Sequence, residues 1–139
     1  MIGTYEHSID GKGRLIIPSR LKEEMGDCFH IGPGFDRYLT IYPAAAWETV
    51  CQRAQELEDE EELDTMEAFF SQCFPCTVDS QNRIVIPPFL REKAGLEKDV
   101  AIVGANTVAR IWDAETWHKK MSAELAPDRL KSVARKVRL

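Results

Sequence analysis

The sequence predicts an α+β fold of two tandem β-β-α-β-β copies, joined by a helical connector and followed by a C-terminal helix, and three observations predict it. The first is a duplicated frame: "DGKGRLIIP" at residues 10–18 returns 69 positions later as "DSQNRIVIP" at residues 79–87. Asp, Arg, Ile and Pro are unchanged at Asp10/Asp79, Arg14/Arg83, Ile17/Ile86 and Pro18/Pro87. The second is that the likeness continues, "YLTIYPAAAW" answering "VARIWDAETW", so that each copy runs from near its acid to a tryptophan. Self-similarity over this length marks an internal duplication. The third is an acidic segment between the copies that carries apolar residues at helical spacing. The expected division is residues 3–48 for the first copy, 49–73 for the acidic helical connector, 74–119 for the second copy and 120–139 for a basic tail.

Each element follows from local chemistry. Residues 4–9 suit a strand, residues 10–13 a tight connection and residues 14–17 a second strand, which together read as a β-hairpin. Asp10 at the start of the turn can accept backbone N–H bonds, and Gly13 supplies the positive φ that a short loop needs. Asn82 stands in Gly13's place in the second copy, and Asn is the residue that next best tolerates left-handed geometry, so one turn shape is expected twice. Pro18 with Ser19, and Pro87 with Pro88, start a short helix whose Leu21 and Met25, or Leu90 and Ala94, face inward; Gly26 or Gly95 ends it. Two strands follow in each copy, over residues 28–32 and 38–42, and over 100–104 and 108–112. A helix then begins near Pro43 or Asp113 and is expected to bury Trp47 or Trp117. The first of these runs through Val50, Cys51, Ala54 and Leu57 toward the acids at residues 58–62. Beyond them Leu63, Met66, Phe69 and Phe70 recur at helical spacing until Pro75, a helical pair with an acidic turn.

Composition narrows the function classes. At 139 residues, 44% of them hydrophobic, the chain can enclose an ordinary core as one unit or as two interlocked halves. No apolar run follows a basic start and no stretch approaches ~20 apolar residues, so the expectation is a cytoplasmic chain that is neither secreted nor membrane-spanning. The net charge of −5 looks wrong for a nucleic-acid binder, but the charge is segregated. Residues 48–70 carry nine acids and one base, residues 71–139 twelve bases and eight acids. The tail gathers Arg129, Lys131, Arg135, Lys136 and Arg138 without an acid among them. Such segregation leaves DNA open as a partner while arguing against indiscriminate electrostatic binding. The acidic stretch is a solvated face, or repels DNA from one side and meets basic residues of a neighbour.

The four cysteines, Cys28, Cys51, Cys73 and Cys76, include one C-x-x-C pair, but a closed zinc site needs four ligands and no second short-spaced pair exists. They are expected to be buried free thiols, with no metal and no cofactor. Gly11-Lys12-Gly13 lacks the frame of a P-loop and opens a strand instead of a helix, so a phosphate cradle is excluded. The three histidines form no constellation with a nucleophile and an orienting group, and the chain is expected not to be an enzyme.

The duplicated D-x-x-x-R-[LI]-[IV]-I-P, with "YEHSIDGKGRLIIPSRLKEEMGD", "FDRYLTIYPAAAWE", "FFSQCFPCTVDSQNRIVIPPFLREKAGLEKDV" and "ARIWDAETW" around it, resembles the MraZ family over essentially the whole length. That family is the bacterial two-copy branch of the AbrB-like (SpoVT/AbrB) swapped-hairpin superfamily. The resemblance implies that the two copies interleave as one swapped-hairpin β-barrel whose loops face DNA. It also implies a nucleoid-associated transcriptional regulator, a repressor of its own operon in the division and cell-wall gene cluster. Its partners would be double-stranded DNA carrying short direct repeats and further copies of itself in a ring-shaped homo-oligomer. Carried over by position, the DNA-binding residues fall on Lys12, Arg14 and Arg83, with Asp10, Gly13, Asp79 and Asn82 positioning the turns. Arginine can donate two parallel hydrogen bonds to guanine or grip a phosphate, whereas Lys12 suits a phosphate; the aspartates are poor partners for DNA and are expected to cap the turn and hold the arginine by a bidentate pair. Gln81 replaces Lys12 in the second loop. The runner-up function is an AbrB-like antitoxin or another non-enzymatic interaction module, against which two fused copies count.

Overall fold

The chain, described over residues 1–139 in a computed structural model, runs β1 (Thr4–Ser8), β2 (Arg14–Ile16), α1 (Ser19–Met25), β3 (Cys28–Pro33), β4 (Tyr38–Pro43), α2 (Ala44–Gln55), α3 (Glu60–Ser71), β5 (Phe74–Thr77), β6 (Arg83–Val85), α4 (Pro88–Lys93), β7 (Asp99–Ala105), β8 (Val108–Asp113), α5 (Ala114–Glu124) and α6 (Pro127–Val137). Each copy is therefore β-β-α-β-β, with two helices behind it. No helix is long and apolar enough to cross a membrane.

The strands flanking each turn do not pair with one another, which corrects the reading of a local hairpin. β1 pairs antiparallel with β7 of the second copy, and its counterpart β5 pairs with β3 of the first. β2 and β6 pair with each other as a separate two-stranded ribbon, in the register Arg14↔Val85, Leu15↔Ile84, Ile16↔Arg83. The larger sheet has the order β1-β7-β8-β4-β3-β5, with the equivalent strands β4 and β8 side by side at its centre. This is an exchange of strands between two copies about an approximate twofold axis. Reciprocal bonds lock the exchange: the Ile17 amide donates to the Asn82 carbonyl at 2.7 Å, and the Ile86 amide donates to the Gly13 carbonyl at 2.9 Å. The physical reason is long-range. A turn sequence sets where the chain reverses, but the apolar face decides which neighbour covers it.

One core belongs to both halves. Leu15, Ile17, Leu21 and Phe29 from the first copy pack in the same cluster as Ile84, Ile86, Leu90 and Ile102 from the second, all essentially without solvent contact. Each such side chain contributes about 1.5–3 kcal/mol relative to exposure, so removing either half would strip the other of most of its cover. The short helices behave as their punctuation predicts. Leu21, Met25, Leu90 and Ala94 are buried, and Gly26 and Gly95 end the helices with φ of 78° and 67°. Trp47 and Trp117 are only half-buried: α2 packs on β3 and β4 and α5 on β7 and β8, but neither helix has a buried residue. Trp47 instead stacks on His30, ring centroids 4.2 Å apart, and meets Phe70 edge-on at 5.7 Å. Of the four thiols Cys76 is buried, Cys51 and Cys73 are half-buried and Cys28 is exposed, so the expectation of burial fails at Cys28, the outward-facing first residue of β3. Burial pushes the Cys73 and Cys76 thiols up to about 11, which keeps both protonated and unreactive near neutral pH.

Candidate functional site

Both turns are closed by an aspartate that accepts hydrogen bonds from its own loop. Asp10 Oδ1 accepts from the Lys12 and Arg14 amides at 2.9 Å each, and Asp79 Oδ1 accepts from the Gln81 and Arg83 amides at 2.8 and 2.9 Å. The other carboxylate oxygen takes the arginine side chain: Arg14 Nε donates to Asp10 Oδ2 at 2.6 Å, and Arg83 Nε to Asp79 Oδ2 at 2.9 Å. The contact is a single one through Nε, not the bidentate pair expected from the sequence. That difference matters chemically, since an aspartate on Nε leaves both terminal nitrogens of each guanidinium outside the pair, and those two nitrogens form the fork that reads guanine or phosphate. The backbone bond from Arg14, reinforced by its side chain and by the Lys12 amide, holds the Asp10 carboxyl down at about 2 against the desolvation that opposes it. The Asp79 carboxyl is lowered for the same reasons, the Arg83 amide first.

Gly13 and Asn82 hold the left-handed geometry that the sequence predicts for both, with φ of 78° and 58°. Strand alternation then sorts the ribbon. Leu15 and Ile84 point into the core, so Arg14, Ile16, Arg83 and Val85 share its outer face. Because β2 and β6 are antiparallel, the two arginines occupy opposite corners of that face, each beside an exposed aliphatic of the other strand, Val85 at 56% and Ile16 at 46% exposure. The two turns lie at opposite ends of the ribbon. Lys12 is exposed on the first turn and Gln81 on the second.

Four residues were missed at the level of sequence. Ile16 and Val85 did not stand out because the run Leu15-Ile16-Ile17 is apolar throughout; the ribbon pairing shows which of the three faces out. Lys22 and Arg91 occupy equivalent positions in α1 and α4, and each serves the turn of the other copy. Lys22 Nζ donates to Asn82 Oδ1 at 2.8 Å. The Arg91 guanidinium lies over Gly13, where an added Cβ would come within 3.2 Å of Nη2 and 3.3 Å of the Ile86 carbonyl oxygen. Extending the 69-residue offset past the prolines pairs these two bases and was the available signal.

The chain matches the family model described as "MraZ protein, putative antitoxin-like" twice, over residues 1–68 and again over residues 69–137. It is 41% identical over 120 residues to the transcriptional regulator MraZ of Heliobacterium modesticaldum, covering 85% of this chain and 84% of that one. It is 42% identical over 118 residues to the protein of the same name from Symbiobacterium thermophilum, covering 84% of this chain and 86% of the relative. With the protein so named in Caldicellulosiruptor bescii the identity is 38% over 133 residues, covering 94% of this chain and 93% of the relative.

Proposed function

The chain belongs to the MraZ family, and from that premise we propose that it is a sequence-specific DNA-binding transcriptional regulator, without enzymatic activity, that reads duplex DNA with the β2–β6 ribbon and its two turns. The observation that carries the reading is the pair of arginines on one outward ribbon face, each aimed by its own aspartate and each with its terminal nitrogens uncommitted. A two-stranded antiparallel ribbon fits the B-DNA major groove, where an arginine can donate twice to guanine O6 and N7. Ile16 and Val85 between the arginines suit apolar contact with a thymine methyl group. Lys12 supplies a phosphate contact, and Lys22 and Arg91 hold the turns in place for it. Asp10, Gly13, Asp79 and Asn82 act by positioning, since their carboxylates and backbone shape the loops.

The finer reading follows the family: a cytoplasmic, nucleoid-associated repressor of its own operon in the division and cell-wall gene cluster. It would act as a ring of copies engaging short direct repeats, and repeats spaced by about ten base pairs would present successive sites on one face of the duplex. An antitoxin role is disfavoured by two fused copies in one chain and by relatives named as transcriptional regulators. The test is a footprint of the purified protein on its own upstream region, run beside the Arg14→Ala/Arg83→Ala double variant. Protected blocks at helical-turn spacing that vanish with the double variant are expected. Unchanged protection by a folded double variant would overturn the ribbon as the reading surface.

A further inference from the structure

We infer that α6 of one chain docks into the groove between α2 and α3 of a second copy, a head-to-tail contact that makes the C-terminal helix the key and the acidic connector the lock. The inference deepens the self-association in the proposed function and rests on it. Its first observation is that α2 and α3 form a helical pair with no buried residue, leaving between them an open apolar groove of about 610 Å³ lined by Trp47, Ala54, Leu63, Met66 and Phe70 among others. The second is α6. It follows α5 as α3 follows α2, yet it too has no buried residue, and Leu130, Val133 and Val137 line one of its faces at 44%, 54% and 60% exposure. Trp47 and Ala54 lie seven positions apart along their helix, as do Leu130 and Val137, so both stripes are about 10 Å long.

Charge selects the same pairing. The helical pair that forms the groove, residues 48–70, carries nine acids against one arginine, with Glu67 in the groove's own lining, while residues 129–138 hold five bases and no acid. None of those acids is ion-paired within the chain, and of those bases only Arg129 is, to Glu124 at the end of α5. An apolar stripe on a basic helix therefore meets an apolar groove in an acidic helical pair. α5 packs on β7 and β8 and α2 on β3 and β4, and only Leu125 and Ala126 connect α5 to α6. Lock and key thus leave the molecule from different halves, and a contact between two unlike patches of identical chains is heterologous, closing into a ring or propagating.

The experiment uses full-length protein and sedimentation mass in moderate salt. Val133→Glu spoils the key and Leu63→Glu the lock, and both residues are exposed, so an unchanged far-ultraviolet circular dichroism spectrum reports retained fold, while loss of assembly lowers the melting temperature by mass action. Expected is a multimer for the natural sequence, monomer for each variant alone, and a species of two chains, no larger, when the variants are mixed, because each brings one intact patch. A Val133→Glu variant that keeps the natural mass, or a mixture that stays monomeric, overturns the inference. So does Val133→Glu abolishing co-sedimentation with phosphatidylserine vesicles while the mass is unchanged, which would assign the basic helix to an anionic surface. If the natural sequence is itself monomeric, the self-association reading falls together with this one; if it assembles and Val133→Glu assembles equally, only the docking of α6 falls.

Discussion

The turn of the first copy and the turn of the second are closed by the same atoms and finished by different ones. Both use an aspartate that takes two loop amides on one oxygen and an arginine Nε on the other. Around that shared frame the first turn has Gly13, Lys12 and the Arg91 guanidinium overhead, while the second has Asn82, Gln81 and Lys22 bonded to Asn82. The difference separates what the fold needs from what a ligand needs. The aspartate and a residue able to hold positive φ recur because the turn is built on them, and a base from the other copy lies beside each turn, hydrogen-bonded only in the case of Lys22. Arginine recurs with its Nε on the aspartate and its two terminal nitrogens left over, which the turn does not use, and lysine at position 12 does not recur at all. That sorting supports the proposed reading, with the arginines as the working groups and the lysine as an accessory.

The largest expected effect comes from taking the arginines one at a time. Arg14→Ala should weaken a single-site DNA probe by about 1–3 kcal/mol and relax sequence preference, with Arg83→Ala costing the same or less because its loop lacks a Lys12 counterpart. On a probe with several repeats the losses multiply across engaged copies, so either variant should lose footprinting there. Equal, undiminished affinity of both variants in a gel-shift titration would make the two turns ordinary connections.

Next in size is the backbone. Gly13→Ala places a Cβ in left-handed geometry, 3.2 Å from the Arg91 guanidinium, and should lower stability by about 1 kcal/mol or more, read from thermal or urea unfolding. Asn82→Gly keeps the permitted geometry but gives up the bond from Lys22, so its loss should be smaller. Similar values for the two would mean that Arg91 moves aside freely and does not brace the first turn.

Much of this frame is legible in the sequence. The aspartate caps, the positive φ at Gly13 and Asn82, the inward residues of the short helices and the helical pair in the connector all depend on residues within a few positions of one another, and local chemistry decides them. The partner of each strand depends on residues some seventy positions away, and nothing in "DGKGR" states it. Reading β1 and β2 as a hairpin failed for that reason, and with it the placing of Ile16 and Val85 on the outer face. The single Nε contact was illegible because spacing shows that an acid and an arginine meet, not by which nitrogen. Lys22 and Arg91 fall in the stretch where Leu21 and Met25 match Leu90 and Ala94, but nothing local shows that each reaches the turn of the other copy.

The aspartates offer a pH handle on the same contrast. A carboxyl whose folded value lies below its unfolded one stabilises the fold above the unfolded value, near 4, and that contribution is lost as pH falls through the folded value. For Asp10 the window runs from about 4 down to about 2. The Asp79 carboxyl is lowered too and its bond to Arg83 is longer, 2.9 Å against 2.6 Å, so its turn should loosen first on acidification. Carboxyl carbon shifts followed by NMR should show Asp79 titrating above Asp10. The reverse order would mean that the Nε contact does not set the ranking.

The smallest effect, and the one that isolates charge from shape, is at position 12 and its counterpart. Lys12 is exposed at the tip of the first turn, and Gln81 is exposed at the same place on the second; both contribute a backbone amide to the cap and leave their side chains free. Exchanging these side chains therefore leaves the aspartate, the arginine and the left-handed residue as they are. Binding through a phosphate contact releases counterions, and each contact adds about one unit to the slope of log affinity against log salt. Lys12→Ala should thus flatten the slope by about one unit per engaged copy while weakening all sequences alike. Gln81→Lys should steepen it by a similar amount, because the second turn sits at the other end of the same ribbon and would gain the contact it lacks. Sequence preference should stay with the arginines in both variants. If Gln81→Lys leaves the slope unchanged although Lys12→Ala flattens it, only the first turn lies against the DNA backbone and the ribbon docks tilted. If Lys12→Ala instead changes which sequence is preferred, the lysine reads a base and the division between reading arginines and a phosphate-holding lysine is wrong.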